Sequence, residues 1–238
     1  MSFIPPAIAY QEFEAIDFVT ALREHVYPDC PGVPPGLANR RIRDSAIEFC
    51  RDSQVWTVRL DPITVRADVM EYELDEEDIP VCAEIIVPTQ VLQQTTEEDD
   101  ELNESPFPLG PNQEYTMNSR LVLRLRTRPA DTIRRGLRVT VALRPKIGAD
   151  DIEKQVFDEY YDFIAHGAKY KLMSIPRKGW SDPVAARFHY EEYRRGIREA
   201  RIRIQRGLTN AELRVTTTAG FITGGSQQGA RNRFLREL

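Results

Sequence analysis

The amino-acid sequence predicts an α+β protein: a helical bundle of two N-terminal and two C-terminal helices, an inserted small antiparallel β-domain and an extended C-terminal arm. Three observations predict this class. Apolar residues recur at helical spacing before residue 54 and again after residue 145. Between them, apolar and polar residues alternate, as in half-buried strands. The end of the chain is rich in glycine and threonine. We therefore expect boundaries at 1–54, 55–144, 145–207 and 208–238.

The N-terminal part is predicted to contain two helices separated by a rigid loop. The first helix is expected over 10–26. The loop over 28–36 contains four prolines and two glycines, which are incompatible with a helix or a central strand. The second helix is expected over about 37–52. Cys50 lies on its apolar face and is interpreted as a small core residue.

Strands are predicted where the hydrophobic period falls to two. These segments are 56–60, 70–74, 81–87, 121–125 and 137–143. Pro88 is expected to end the third of them. Residues 93–114 are acidic and contain prolines, and they are predicted to form a long mobile loop.

Helical spacing returns after Pro145. Asp150 or Asp151 is expected to cap the third helix, and a glycine within it, Gly167, indicates either a bend or close packing. Asp182 followed by a proline predicts the N-cap and first turn of a fourth helix. This helix is expected to run to about Arg206, before a glycine that stops it.

Charge is strongly segregated along the chain, although the net charge is only −5. Residues 67–119 hold fifteen acids and no Lys or Arg, whereas residues 120–146 hold nine basic residues and one acid. From residue 169 onward, fifteen basic residues face six acids. Opposite charges on one chain favour head-to-tail association between copies. Solvated faces together with an acidic loop would give the same composition.

The sequence offers little for catalysis. The three histidines are far apart, the three cysteines lack CxxC spacing, and no phosphate-binding loop or nucleophile elbow is present. His166 could in principle act as a base, but a histidine on a helix face or boundary is the favoured interpretation. The many carboxylates of the acidic segment lack a rigid setting that would fix their pKa values. We expect no enzyme activity, no catalytic residue, no cofactor and no metal.

Cysteine usage and hydropathy suggest the cellular setting. An odd number of widely spaced cysteines argues against a disulfide framework and favours synthesis in a reducing cytosol. The N-terminus lacks the pattern of a signal peptide. No apolar stretch approaches the ~20 residues that would cross a bilayer, so we expect no membrane contact.

Arginines crowd the second half of the fourth predicted helix. The candidates for contacts between subunits are Arg194, Arg195, Arg198 and Arg201. Such a row could bind DNA phosphates. Because the sequence pI is about 5.4, we favour bidentate pairing with acids of a neighbouring subunit.

The glycine-rich terminus cannot bury enough surface to order by itself. It carries apolar and cationic anchors, which are Phe221, Arg231, Arg233, Phe234, Leu235, Arg236 and Leu238. An arm of this composition is predicted to order on a partner. An ordinary frayed terminus is the alternative.

Two segments carry a resemblance to a known family. The first spans 139–207, and its matching residues are Pro145, Gly167, Ala168, Pro176, Trp180, Asp182, Pro183 and Ala186. The second spans 42–63, with Phe49, Cys50, Trp56, Pro62 and Ile63. With 42–63 preceding 139–207 along the chain, the two segments together resemble the head-to-tail adaptor (connector) proteins of tailed bacteriophages, and are similar to the tail tubular or adaptor proteins of short-tailed phages.

The resemblance implies a structural protein of the virion. Such adaptors form a ring, typically dodecameric, that lies beneath the portal and continues the DNA channel toward the tail. The implied partners are further copies of this chain, the portal protein and tail or nozzle proteins, with genomic double-stranded DNA passing non-specifically through the lumen. The arm would dock on the portal. The implied location is the head–tail neck, after synthesis in the host bacterial cytoplasm. The alternatives are a tail-terminator or stopper ring, and a DNA-binding packaging accessory protein.

Overall fold

The computed structural model describes residues 13–93, 107–109 and 114–205. Within these ranges there are four helices: α1 (Phe18–Val26), α2 (Pro35–Ser53), α3 (Lys154–Met173) and α4 (Pro183–Gln205). The strands are β1 (Ala15–Asp17), β2 (Thr57–Arg59), β3 (Ile63–Val65), β4 (Glu71–Glu73), β5 (Ala83–Gln93), β6 (Phe107–Pro108), β7 (Tyr115–Met117), β8 (Val122–Leu125), β9 (Ile133–Pro145) and β10 (Asp151–Glu153). No helix in the described ranges is both long and apolar enough to cross a membrane.

The strands form three antiparallel sheets. The largest has the order β2-β9-β5-β6, with β3 also paired to β9. The second has the order β4-β8-β7, and the third is the pair β1-β10. Strand β9 is the centre of the largest sheet, and Leu137, Val139 and Val141 on it are buried. Arg138 and Thr140 between them remain partly exposed, which confirms the predicted alternation.

Strand β5 runs further than the sequence predicts. Pro88 was expected to end it, yet the strand continues to Gln93 and pairs with β9 over most of its length. The register shifts between Ile85 and Val87 and again between Pro88 and Gln90. A proline cannot donate a ladder hydrogen bond, and bulges are where strands accommodate it.

The predicted long loop over 93–114 is partly wrong. Leu92 and Gln93 of β5 pair with Pro108 and Phe107 of β6, so a short strand lies within the predicted loop. The remainder of that prediction, 94–106 and 110–113, lies outside the described residues.

The first and third helices begin later than predicted. Residues 15–17 form β1, which pairs with β10, and the carboxylate of Asp17 then caps α1 by accepting the Thr20 backbone N–H at 2.9 Å. Because β10 keeps Asp151 extended, α3 begins at Lys154, and its N-cap residue Glu153 makes no side-chain capping bond. The predicted caps Asp150 and Asp151 are therefore wrong. Asp150 instead accepts the Arg43 Nε–H at 2.6 Å.

The predicted fold class, a bundle of two N-terminal and two C-terminal helices with an inserted β-domain, is wrong. The described residues form a mixed α/β fold with several antiparallel sheets. Helix α2 lies against both α3 and β9, and buried residues of helices and strands belong to one hydrophobic core. The spacing of apolar residues indicates only local secondary structure. The changes of spacing at residues 54 and 145 therefore do not show that the helices and the strands form separate cores.

Candidate subunit interface

Helix α4 begins where the sequence predicts. The Asp182 Oδ1 atom accepts the backbone N–H groups of Val184 (2.9 Å) and Ala185 (3.0 Å), and Pro183 occupies the first turn. A side-chain acceptor satisfies donors that a helix N-terminus otherwise leaves unpaired, and proline fixes the backbone angle for the first turn. The N-cap prediction is confirmed. The predicted end at Arg206 and Gly207 lies outside the described residues.

One face of α4 is fixed in the core. Tyr193, Ile197 and Ala200 are buried. The Tyr193 hydroxyl donates to the Ser45 carbonyl of α2 at 2.9 Å, and burial raises the pKa of Tyr193, so the phenol keeps this proton. The side of α4 that carries these three residues is therefore buried, and the opposite side of the helix faces outward.

Helices α3 and α4 touch at two glycines in a reciprocal way. The ring of Tyr193 on α4 packs against Gly167 of α3, and the ring of Phe163 on α3 packs against Gly196 of α4. A Cβ atom at Gly167 would lie 2.6 Å from the Tyr193 ring. Of the two sequence-based alternatives for Gly167, this contact shows close packing.

The four predicted interface arginines are not equivalent. Arg195 pairs with Glu192 at 2.6 Å and lies over the Phe163 ring, 5.7 Å from its centroid. Arg201 donates to the Asp52 carbonyl of the same chain. Arg194 and Arg198 are exposed and have no polar partner within the described residues. These two guanidinium groups are therefore free to engage another molecule.

Large apolar side chains accompany the free arginines on the outward face. Val184, Phe188 and Ile202 are 82%, 56% and 42% exposed. Steps of three and four residues along a helix stay on one side of it. Residues 184, 188, 191, 195, 198 and 202 follow one another at such steps and therefore lie on one surface, which includes Arg198. Arg194, four residues before Arg198, lies at the edge of this surface. We call this surface the α4 outward face; apolar anchors beside unpaired arginines are typical of interface cores.

A pair of histidines that sequence patterns do not predict lies under this face. The Nδ1 atoms of His166 on α3 and His189 on α4 are 2.7 Å apart, and the Phe188 ring lies against both imidazoles. Desolvation by burial lowers the pKa of both histidines. The two residues are far apart in sequence and follow no motif, so only the packing of α3 on α4 could reveal the pair.

A second basic surface lies on α2. Arg40, Arg43, Arg51 and Lys171 line an open cavity of about 710 Å³ beside Ile147, which is 90% exposed. Ion pairs already neutralise three of these cations, through Asp150, Asp52 and Glu48. The α4 outward face, with three apolar residues and two arginines that have no partner among the described residues, is thus the stronger interface candidate.

Two of the three cysteines, Cys30 and Cys50, are buried thiols. Cys50 is fully buried, as predicted, and burial raises its pKa to about 12. Burial likewise raises the pKa of Cys30 to about 11. Both are therefore protonated near neutral pH, and a thiol is a poor nucleophile and metal ligand compared with a thiolate. In the part of the chain that the structure describes, no group of three or more His, Cys, Asp or Glu side chains could hold a metal ion.

The predicted docking arm is not among the described residues. Its anchors, from Phe221 to Leu238, all lie beyond Gln205. Their predicted role stays a prediction. Comparison with known proteins adds no relative: no protein-family model matches this chain, and no curated protein matches it significantly.

Proposed function

We propose that this chain is a head-to-tail adaptor of a tailed bacteriophage. Copies of it form a ring beneath the portal, join the head to the tail and continue the DNA channel. Its partners are further copies of itself, the portal protein and the tail or nozzle proteins. The protein works in the virion neck, assembling at the head vertex after DNA packaging.

The order of elements around the matching residues carries this proposal. Helix α2 contains Phe49 and Cys50 near its end and is followed by Trp56 and β2, as in the family signature. The segment 139–207 has the same order of parts as the family: a strand ending in proline, a helix with a Gly-Ala step, a loop with proline and tryptophan, and a capped helix. These parts are Pro145 of β9, Gly167 and Ala168 of α3, Pro176 and Trp180 of the loop, and Asp182 before α4.

The α4 outward face supports contacts between subunits. Arg194 and Arg198 could pair with carboxylates of a neighbour, and Phe188 could supply a buried apolar anchor. Acidic side chains are plentiful in 67–119, which contains no basic residue. A ring needs two different complementary surfaces on each copy, because each subunit meets its neighbours head to tail.

Deleting residues 215–238 tests the docking arm. We expect the shortened chain to lose binding to the portal protein of the same phage. It should keep its melting temperature, since the deletion removes none of the described core. The measurement is negative-stain imaging of chain–portal mixtures, with thermal unfolding of the free chain as the folding control. Portal binding that survives the deletion would contradict the arm's role.

The proposal as a whole has its own test. Rings should appear on the portal when the full chain is added, even if the free chain is monomeric, because the portal can template assembly. Absence of any complex with the portal would overturn the proposal.

The free arginines on α4 also favour one alternative, a DNA-binding packaging accessory. That function requires the free chain to bind duplex DNA with an affinity that falls steeply as salt rises. A gel-shift titration at two salt concentrations separates the two functions.

A further inference from the structure

The number of protons carried by the His166 and His189 imidazoles depends on pH. With both rings neutral, one Nδ1–H donates to the other Nδ1 across 2.7 Å. One added proton can go to an Nε2 atom and leaves this hydrogen bond intact. A second added proton puts a hydrogen on both Nδ1 atoms, so neither can accept. Double protonation therefore breaks the contact and places two positive charges together.

The charged groups around the pair do not offer a direct counterion. On α3 these are Asp162 and Lys169; on α4 they are Glu192 and Arg195, with Asp182 at its N-cap; the loop between α1 and α2 adds Asp29. Lys169 is bound to Asp29 at 2.6 Å, and Arg195 to Glu192 at 2.6 Å. Within the described residues, the only hydrogen bond of either imidazole is to the other.

The pair is well placed to affect the α4 outward face. His189 is only 9% exposed, whereas Phe188 beside it is 56% exposed. The Phe188 ring centroid lies 5.9 Å from that of His166 and 5.4 Å from that of His189. Separation of the imidazoles would therefore move the apolar residue that the proposed interface uses.

We propose that the His166–His189 hydrogen bond is an acid-sensitive latch. It holds the first half of α4 on α3 near neutral pH, and double protonation releases this half and disturbs the α4 outward face at Phe188. The effect on subunit contacts rests on the proposed function. The latch itself is a property of the single chain. Burial and the neighbouring imidazole's charge both lower the pKa of His189, so release needs a pH below the usual histidine range.

Amide hydrogen exchange in α4 tests the latch in the free, full-length chain. We expect protection factors for residues 184–190 to fall as the pH goes from 7.5 to 5, while those of α2 stay constant. By linkage, each proton bound on opening changes the opening constant by about tenfold per pH unit. At the steepest point, the protection factors should therefore fall by between ten- and a hundredfold per pH unit.

His189→Asn is the matched variant, because an amide can occupy the Nδ1 position and hydrogen-bond without titrating. We expect it to abolish the pH dependence of α4 protection, and His166→Asn is the reciprocal variant should the first fail to fold. His25→Asn, at an exposed position on α1, should retain the dependence.

Two results would overturn the latch: α4 protection that is constant from pH 7.5 to 5 in the natural chain, or an unchanged pH dependence in both asparagine variants. Neither result bears on portal binding. Conversely, failure of the chain to bind the portal at any pH would contradict the adaptor proposal and would not affect the latch.

Discussion

Single glycines decide how closely α3 and α4 approach. A Cβ at Gly167 would meet the outer ring atoms of Tyr193, which the hydrogen bond to Ser45 holds in place. A Cβ at Gly196 would meet the Cβ and Cγ of Phe163, which are close to the backbone and cannot swing away. Both glycines are in helices, where alanine is intrinsically preferred by about 1 kcal/mol. The two effects oppose each other.

We predict that the cost of overpacking exceeds the gain in helix propensity at both glycines. Inserting a methyl group into a packed contact costs roughly 1–3 kcal/mol. Gly196→Ala should therefore lower the free energy of unfolding, and Gly167→Ala should lower it less. Denaturant unfolding measures both. Gly36→Ala in α2 is the control, since beyond its chain neighbours and the local helix backbone no atom lies within 4 Å of its added Cβ, and it should be neutral or stabilising. Stability equal to that of the natural chain in Gly196→Ala would refute the close contact.

At the scale of one element, the start of α4 depends on its cap. The Asp182 carboxylate accepts two backbone N–H groups of the first turn. We predict that Asp182→Ala lowers the free energy of unfolding by about 1 kcal/mol, whereas Asp182→Asn, which still caps, loses little. Thermal unfolding of both variants measures the difference. Equal loss in both would show that the charge of Asp182, and not its capping, stabilises the helix.

At the scale of the whole molecule, we predict that reversing the two free arginines of α4 blocks assembly but not folding. Arg194→Glu with Arg198→Glu should reduce the number of chains bound per portal. The melting temperature should change little, because exposed charges contribute little to stability. Mass measurement of portal complexes gives the count. Arg59→Glu with Lys178→Glu carries the same change in charge at exposed positions elsewhere and should assemble normally. Normal assembly of the α4 variant would exclude this face from the interface.

The sequence by itself determined the features that short-range interactions control. The start of α4 follows from Asp182 and Pro183, because capping acts within one turn. Helix α2 and strand β9 follow from their hydrophobic periods, and Cys50 from its place on an apolar face. Each of these signals is complete within a few residues of the chain.

Only the tertiary structure decided which surfaces meet. Residues 15–17 become a strand because β10 pairs with them, and β5 passes Pro88 because β9 continues beside it. Arg195 and Arg201 are occupied by partners within the chain, and His166 meets His189 from another helix. Packing of helices and strands into one core overturned the predicted bundle. Such contacts join residues that are distant in sequence, and their free energy depends on neighbours that a local pattern does not contain.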